Sequence, residues 1–172
     1  MVAAFYMAQK KSGGATVVTD TDLTAAEHLM NAGGAEVVLP SDVLTADEFS
    51  KSSPATLRES NDVPDDGLIL DIGPRSSENY AQIISHAKRI IWNGPMGVFE
   101  WPTFSKGTVA IANAVASNEN ATSVIGGGST AEVVSSLDLI DKITHVSTGG
   151  GASLEFLEGK TLPGVAALDD AT

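Results

Sequence analysis

Twice in this sequence an apolar, β-rich run ends in three glycines and passes into a helical pattern: SVIGGGSTAEVV (123–134) and HVSTGGGASLEFLEG (145–159). The triplets Gly126-Gly127-Gly128 and Gly149-Gly150-Gly151 start 23 residues apart. The chemistry open to them is anion binding. The first N–H groups of a helix lack intrahelical partners and carry the positive end of its dipole, and glycine lets a phosphate come close. Ser129 and Thr130 would add hydroxyl donors or touch a metal. Two such helix ends side by side would suit a polyphosphate. A strand-to-helix turn without a ligand is the other reading of each triplet, and the residues alone leave both open. Neither is a P-loop, whose lysine and spacing are missing, nor a G-x-G-x-x-G dinucleotide fingerprint.

A third segment, IIWNGPMGVFEW (90–101), carries complementary groups. Asn93-Gly94-Pro95 turns the chain out of an apolar run, and Gly97 permits close approach. Val98 and Phe99 offer apolar surface, and Glu100 offers a carboxylate to ribose hydroxyls. Alternatively Val98, Phe99 and Trp101 belong to the core and Glu100 is solvated. Asp71, just ahead of Gly73-Pro74, is either an acid at a ligand edge or a turn cap. His145 reads as a core or hydrogen-bonded residue of a strand, and His28 and His86 as flanks of helices. No two histidines have metal-ligand spacing, and no Ser-His-Asp order or nucleophile elbow occurs.

These groups need a frame. Apolar β-rich runs fall at 15–18, 35–39, 68–72, 89–92, 122–125 and 143–146, and helical patterns at 23–32, 77–87, 106–117 and 130–137. Short apolar strands alternating with helices of about ten residues predict a parallel sheet covered on both faces. Asp22 and Ser77 are candidate N-caps, and Gly13-Gly14 ends an N-terminal helix. Residues 50–64 read as an exposed loop or a hairpin interruption. The glycine-bearing loops follow strands, where ligands of open parallel sheets bind. The chain has 172 residues, enough for one domain, with 17 glycines and no cysteine, which excludes disulfides and thiolate metal sites. A net charge of −12 argues against nucleic-acid and anionic-membrane partners. No segment is apolar enough to span a bilayer, and the N-terminus makes a poor signal peptide.

The segments DIGP (71–74), IIWNGPMGVFE (90–100), SVIGGGSTAEVV and HVSTGGGASLEFLEGKTLPGVAAL (145–168) together resemble the phosphoglycerate kinase family, specifically its carboxyl-terminal nucleotide-binding domain. The match covers roughly residue 35 to the end, and the first thirty residues match by pattern only. The resemblance implies a Rossmann-like α/β fold: an open parallel sheet with helices on both faces, missing its first strands. It implies a cytoplasmic glycolytic kinase, monomeric when full-length. Such a kinase moves a phosphoryl group between 1,3-bisphosphoglycerate with ADP and 3-phosphoglycerate with ATP, assisted by Mg²⁺. By similarity, the adenine lies in an apolar slot near Phe49, Leu70 and Gly73, Glu100 holds the ribose, and Val98 and Pro95 also contact the nucleotide. Asn93 and the backbone of Gly128, Ser129 and Thr130 contact the polyphosphate, Gly127 is nucleotide-binding beside them, and Gly149, Gly150 and Gly151 face the phosphoryl group in flight.

Two departures accompany the match. The family usually has an aspartate, a Mg²⁺ ligand, where this chain has Ser129, a neutral and weaker ligand for a hard dication. The chain is also less than half a family member. Residues 1–172 are therefore expected to be a partial nucleotide-binding domain, with the substrate domain absent, inactive and marginally folded alone. The rival readings are a nucleotide-binding fragment without turnover and a dinucleotide-binding oxidoreductase domain.

Overall fold

The computed structural model describes residues 1–147 and 149–168, so Thr148 of the second glycine stretch lies outside the described residues. In chain order the elements are α1 (Val2–Ala8), α2 (Asp20–Asn31), β1 (Asp42–Ala46), β2 (Thr56–Glu59), β3 (Leu68–Ile72), α3 (Pro74–His86) and β4 (Arg89–Asn93). They continue with α4 (Lys106–Ser117), β5 (Thr122–Gly126), α5 (Gly128–Ser136), β6 (His145–Ser147), α6 (Gly150–Leu157) and α7 (Pro163–Ala166). The chain divides into two compact units, Met1–Gln82 with Met96–Ile111, and Ile83–Pro95 with Ala112–Thr172, so that α3 and α4 each pass from one into the other.

In the first unit β1 lies between β2 and β3 and is antiparallel to both, pairing Leu44 with Leu57 and Val43 with Ile72. The run 68–72 is thus a strand, as its apolar pattern predicts, but it joins an antiparallel sheet rather than a parallel one. Of the two readings of 50–64, the hairpin holds, because β2 lies within it. The runs 15–18 and 35–39 form no strand. Val17 is 89% exposed, and Val37 and Val38 are also exposed, so these β-branched residues meet neither a partner strand nor a core. The sheet's inner residues gather around Tyr6, Val43 and Val63, and around Ala46, Leu70 and Phe104.

The starts of α2, α3 and α4 in this unit are closed by side chains, whereas α1 has no side-chain cap. Thr19, not Asp22, is the N-cap of α2. Asp22 sits three residues on and completes a capping box, its carboxylate accepting from the Thr19 N–H at 3.0 Å. Helix α3 begins at Pro74 rather than beyond Ser77, since proline at the first helical position costs no hydrogen bond. Its end is capped from β1: the buried Asp42 carboxylate accepts from Arg75 N at 3.1 Å, Ser76 N at 2.7 Å and Ser76 Oγ. Asp71 on β3 closes α4 in the same way, Oδ2 accepting from Gly107 N at 2.9 Å while Oδ1 accepts from Ile72 N. Asp71 thus caps a helix, α4, rather than the Gly73-Pro74 turn that follows it in the sequence. Gly107 and Gly97 admit this carboxylate, because a Cβ on either would stand 2.4–2.5 Å from Asp71 Oδ1.

The second unit holds the parallel sheet, in the order β4-β5-β6. It is flanked by helices, in keeping with the α/β class read from the sequence. Ile90, Trp92 and Ile125 are buried, with Val133 and Val134 of α5 and Val115 of α4. Ile91 is 54% exposed, so β4 alternates rather than being apolar on both faces. Asn118 Nδ2 donates to the carbonyls of Ile84 and Ala87 and ties down the end of α3. Among the described residues no helix is long and apolar enough to cross a membrane.

The two buried aspartates respond oppositely to pH. Burial pushes Asp42 up, but hydrogen bonds from Ser76 and Arg75 outweigh it and leave the carboxyl below its ordinary value. Its contribution is present above the unfolded-chain value of 3.8 and is lost in stronger acid. Asp71 is pushed up to about 6 by burial, which its two backbone donors only partly offset. The folded state therefore holds this proton more tightly than the unfolded chain does. Asp71's contribution is full below the unfolded value of 3.8 and falls as pH rises through about 6. Thermal melts between pH 4 and 7 should show this downward slope, and Asp71→Asn should flatten it. An unchanged slope in the variant would assign the titration to another group.

Candidate functional site

The parallel register sets Asn93 of β4, Gly126 of β5 and Ser147 of β6 side by side at the carboxyl ends of their strands. The chain leaves β5 through Gly127, whose φ of 95° is a left-handed conformation that glycine adopts without steric cost, and enters α5 at Gly128. It leaves β6 toward Gly149 and enters α6 at Gly150. Both triplets therefore join a strand to a helix, as their sequences predict. Neither helix has a side-chain cap; Gly127 and Gly149 are the N-caps. The backbone N–H groups of Gly128, Ser129 and Thr130, and of Gly150, Gly151 and Ala152, are the first three of each helix.

Crowding brings the two helix ends together. A Cβ on Gly150 would stand 2.9 Å from Gly127 Cα and 3.7 Å from Asn93 Oδ1, and one on Gly127 would stand 3.0 Å from the same amide oxygen. Asn93 thus sits between the triplets. Gly127 N donates to Ser147 O at 3.1 Å, which spends its N–H on the frame. Ser153 Oγ bonds Ser147 Oγ and Gly149 O, both at 2.8 Å, and braces the first turn of α6. Thr130 is fully buried, and its Oγ1 accepts from Gly94 N at 2.7 Å, while Trp92 Nε1 donates to Gly94 O at 2.7 Å. The turn Asn93-Gly94-Pro95 is held from both sides. Ser129 is exposed.

In the other unit, Val98 N donates to Leu70 O at 2.9 Å, and both side chains pack with Ala46 and Phe104. Leu70 is therefore mainly a core residue. Phe49 is 66% exposed and stands with its ring 4.6 Å from that of Trp101. Glu100 is exposed. Gly73 faces Asp42, whose Cγ would lie 2.2 Å from a Cβ there, so its glycine is required by the α3 cap. His145 is exposed on β6 rather than part of the core. It lines a cleft of about 420 Å³, mostly apolar, with Ile91, Val124, Leu154, Phe156 and Leu157.

Comparison with known proteins decides the family. The phosphoglycerate kinase family model matches residues 1–160. The chain belongs to the phosphoglycerate kinase family. It is 44% identical over 170 residues to the phosphoglycerate kinase of Latilactobacillus sakei, covering 99% of this chain and 42% of the relative. It is 46% identical over 173 residues to that of Herpetosiphon aurantiacus, covering 99% and 44%. Phosphoglycerate kinase from Coxiella burnetii superposes with a TM-score of 0.87 at 41% identity, over 96% of this chain and 44% of that one. The enzyme from Pyrococcus horikoshii gives 0.79 at 30% identity, over 97% and 42%. The chain thus spans less than half the length of these relatives.

A phosphoglycerate kinase implies a magnesium nucleotide, and the donors at the two helix ends do not fit a protein-held Mg²⁺. Ser129 is neutral, Thr130 Oγ1 is buried and already accepts from Gly94 N, and Asn93 supplies only an amide. Among the described residues no group of three or more His, Cys, Asp or Glu side chains could hold a metal. A hard dication prefers carboxylates and water.

Several supporting residues escaped sequence reasoning. Asp42 and Thr108 left no pattern, since each acts across the fold. The buried Thr108 Oγ1 accepts from Met96 N at 3.0 Å and from Gly97 N at 3.3 Å. The Ser147–Ser153 bond had only a faint signal, two serines bracketing the second triplet. Thr130 was legible as a site residue, but its buttress to Gly94 was not. Thr130→Val should leave the Gly94 N–H without its acceptor and cost roughly 1–3 kcal/mol in urea denaturation, with Thr130→Ser restoring most of it. Equal stability of the valine variant would remove this role.

Proposed function

We propose that this chain is the nucleotide-binding part of a cytoplasmic, glycolytic phosphoglycerate kinase, with ADP or ATP phosphates held by Asn93, Pro95, Gly127–Thr130 and Gly149–Gly151. The adenine and ribose contacts of Phe49, Leu70, Gly73, Val98 and Glu100 belong to the same proposal. One observation carries it. Gly128 and Gly151 are helical, have no positive φ, and a Cβ on either would meet nothing within 4 Å. Inside a helix each glycine costs about 1 kcal/mol relative to alanine. Internal packing gives no reason for them, whereas a phosphate drawn close to the first N–H groups of α5 and α6 does.

The reaction proposed is reversible phosphoryl transfer between 1,3-bisphosphoglycerate with ADP and 3-phosphoglycerate with ATP. Such transfer asks the protein for position and charge stabilisation rather than covalent chemistry. Backbone donors fixed by packing, with Gly149–Gly151 facing the transferred group, need little rearrangement as charge shifts among the phosphoryl oxygens. The phosphoglycerate substrates are assigned to the part of the relatives' length that this chain does not span. A second reading is a nucleotide-binding chain with no turnover of its own.

Thermal melts with ADP and with NAD test the reading. ADP should raise the melting temperature in proportion to its saturation, and NAD should not. Gly128→Ala should keep or slightly raise the melting temperature of the free chain while abolishing the ADP shift. An undiminished ADP shift in the variant would mean that no phosphate approaches Gly128. Steady-state turnover with 3-phosphoglycerate and ATP separates kinase from fragment.

A further inference from the structure

We infer that nucleotide binds this chain without a protein ligand to its metal, so that the site's affinity for ADP is indifferent to Mg²⁺ or favours the metal-free form. The inference rests on the nucleotide reading above and concerns the charge that the two helix ends select. Among the described residues they offer an anion backbone N–H groups, the Asn93 amide and the exposed hydroxyl of Ser129 at the second position of α5. Neither Gly127 nor Gly149 brings a carboxylate as N-cap, and Thr130 Oγ1 already accepts from the Gly94 N–H. Dipoles of this kind attract negative charge in proportion to its amount. Metal-free ADP, with more negative charge than its magnesium complex, gains more from them. A magnesium complex recovers that loss only where the protein supplies an anionic oxygen to the ion, and Ser129 supplies a neutral one.

The charge preference of the helix end also sets the effect of an acid at this position. A carboxylate at Ser129 would suit the helix dipole and so preserve the fold, but it would repel bare phosphates and attract the ion that bridges them. Ser129→Asp should therefore reverse the preference of the site.

Isothermal titration of the 172-residue chain with ADP, once in excess EDTA and once in excess Mg²⁺, reads this directly. The expected Kd values differ by less than about threefold, or favour EDTA. For Ser129→Asp, with an unchanged melting temperature as the check on folding, Kd in Mg²⁺ should be at least about tenfold tighter than in EDTA. Tenfold tightening by Mg²⁺ in the unsubstituted chain would overturn the inference while leaving the nucleotide reading intact, and would direct the search to other carboxylates such as Glu132, exposed on α5. Loss of metal discrimination in Ser129→Asp would overturn it as well. Absence of ADP binding in both titrations would overturn the nucleotide reading and this inference with it.

Discussion

The unpaired N–H groups at the start of each helix are the constraint around which this chain is arranged. Every helix must answer for them, with a side chain, with water or with a ligand. The chain divides its answers by place. Thr19 and Asp22 close α2 from within, Asp42 closes α3 from β1, and Asp71 closes α4 from β3. These are internal anions, and two of the three aspartates are buried. The starts of α5 and α6 receive no such partner and instead begin at glycine. One local problem has two solutions, and α5 and α6, left without an acid, start beside the carboxyl edge of a parallel sheet.

Leaving an end bare is not enough to make it useful, because its position must also be fixed. Here glycine acts in two distinct ways. At Gly127 and Gly150 a side chain would collide with neighbouring backbone or with Asn93, so the two helix starts approach as closely as bare backbone allows. At Gly128 and Gly151 nothing internal would be struck. The crowded pair builds the frame, and the uncrowded pair leaves room outside it. Thr130 and Trp92 hold the amide and the carbonyl of Gly94, respectively, and Ser153 holds the carbonyl of Gly149. Fixed donors of this kind lose little when the charge they face redistributes.

The same division explains what could be read in the sequence. Helices α4 and α5 and strands β4, β5 and β6 announce themselves by apolar period, and the glycine triplets mark the strand-to-helix joints. Strand β1 does not, because it carries Asp42 and Thr45, polar residues whose partners lie more than ten positions away on α3 and β2. A pattern of neighbours cannot encode a cap supplied from another element. The valines at 17, 37 and 38 mislead for the converse reason: their propensity is for strands, but no strand lies beside them, and propensity without a pleated partner surface counts for little. Asp71 was visible as an acid at the end of a strand, yet its choice between ligand edge and cap depended on Gly97 and Gly107, some 26 and 36 positions further on, leaving space for it.

A chain of net charge −12 that is proposed to gather phosphates poses a last physical question. Its acidic surface opposes an anion at long range, but at physiological ionic strength charges separated by more than about 8 Å are largely screened. Backbone donors act at hydrogen-bond distance, about 3 Å, where screening by mobile ions has no room to operate. Recognition then depends on whether the first N–H groups of α5 and α6 stand at the right separation, and hardly at all on the overall sign of the surface. That separation is set by the contact of Gly150 with Gly127 and by Asn93 wedged against both. A single methyl group at Gly150 should therefore matter more to such a site than several surface charges would.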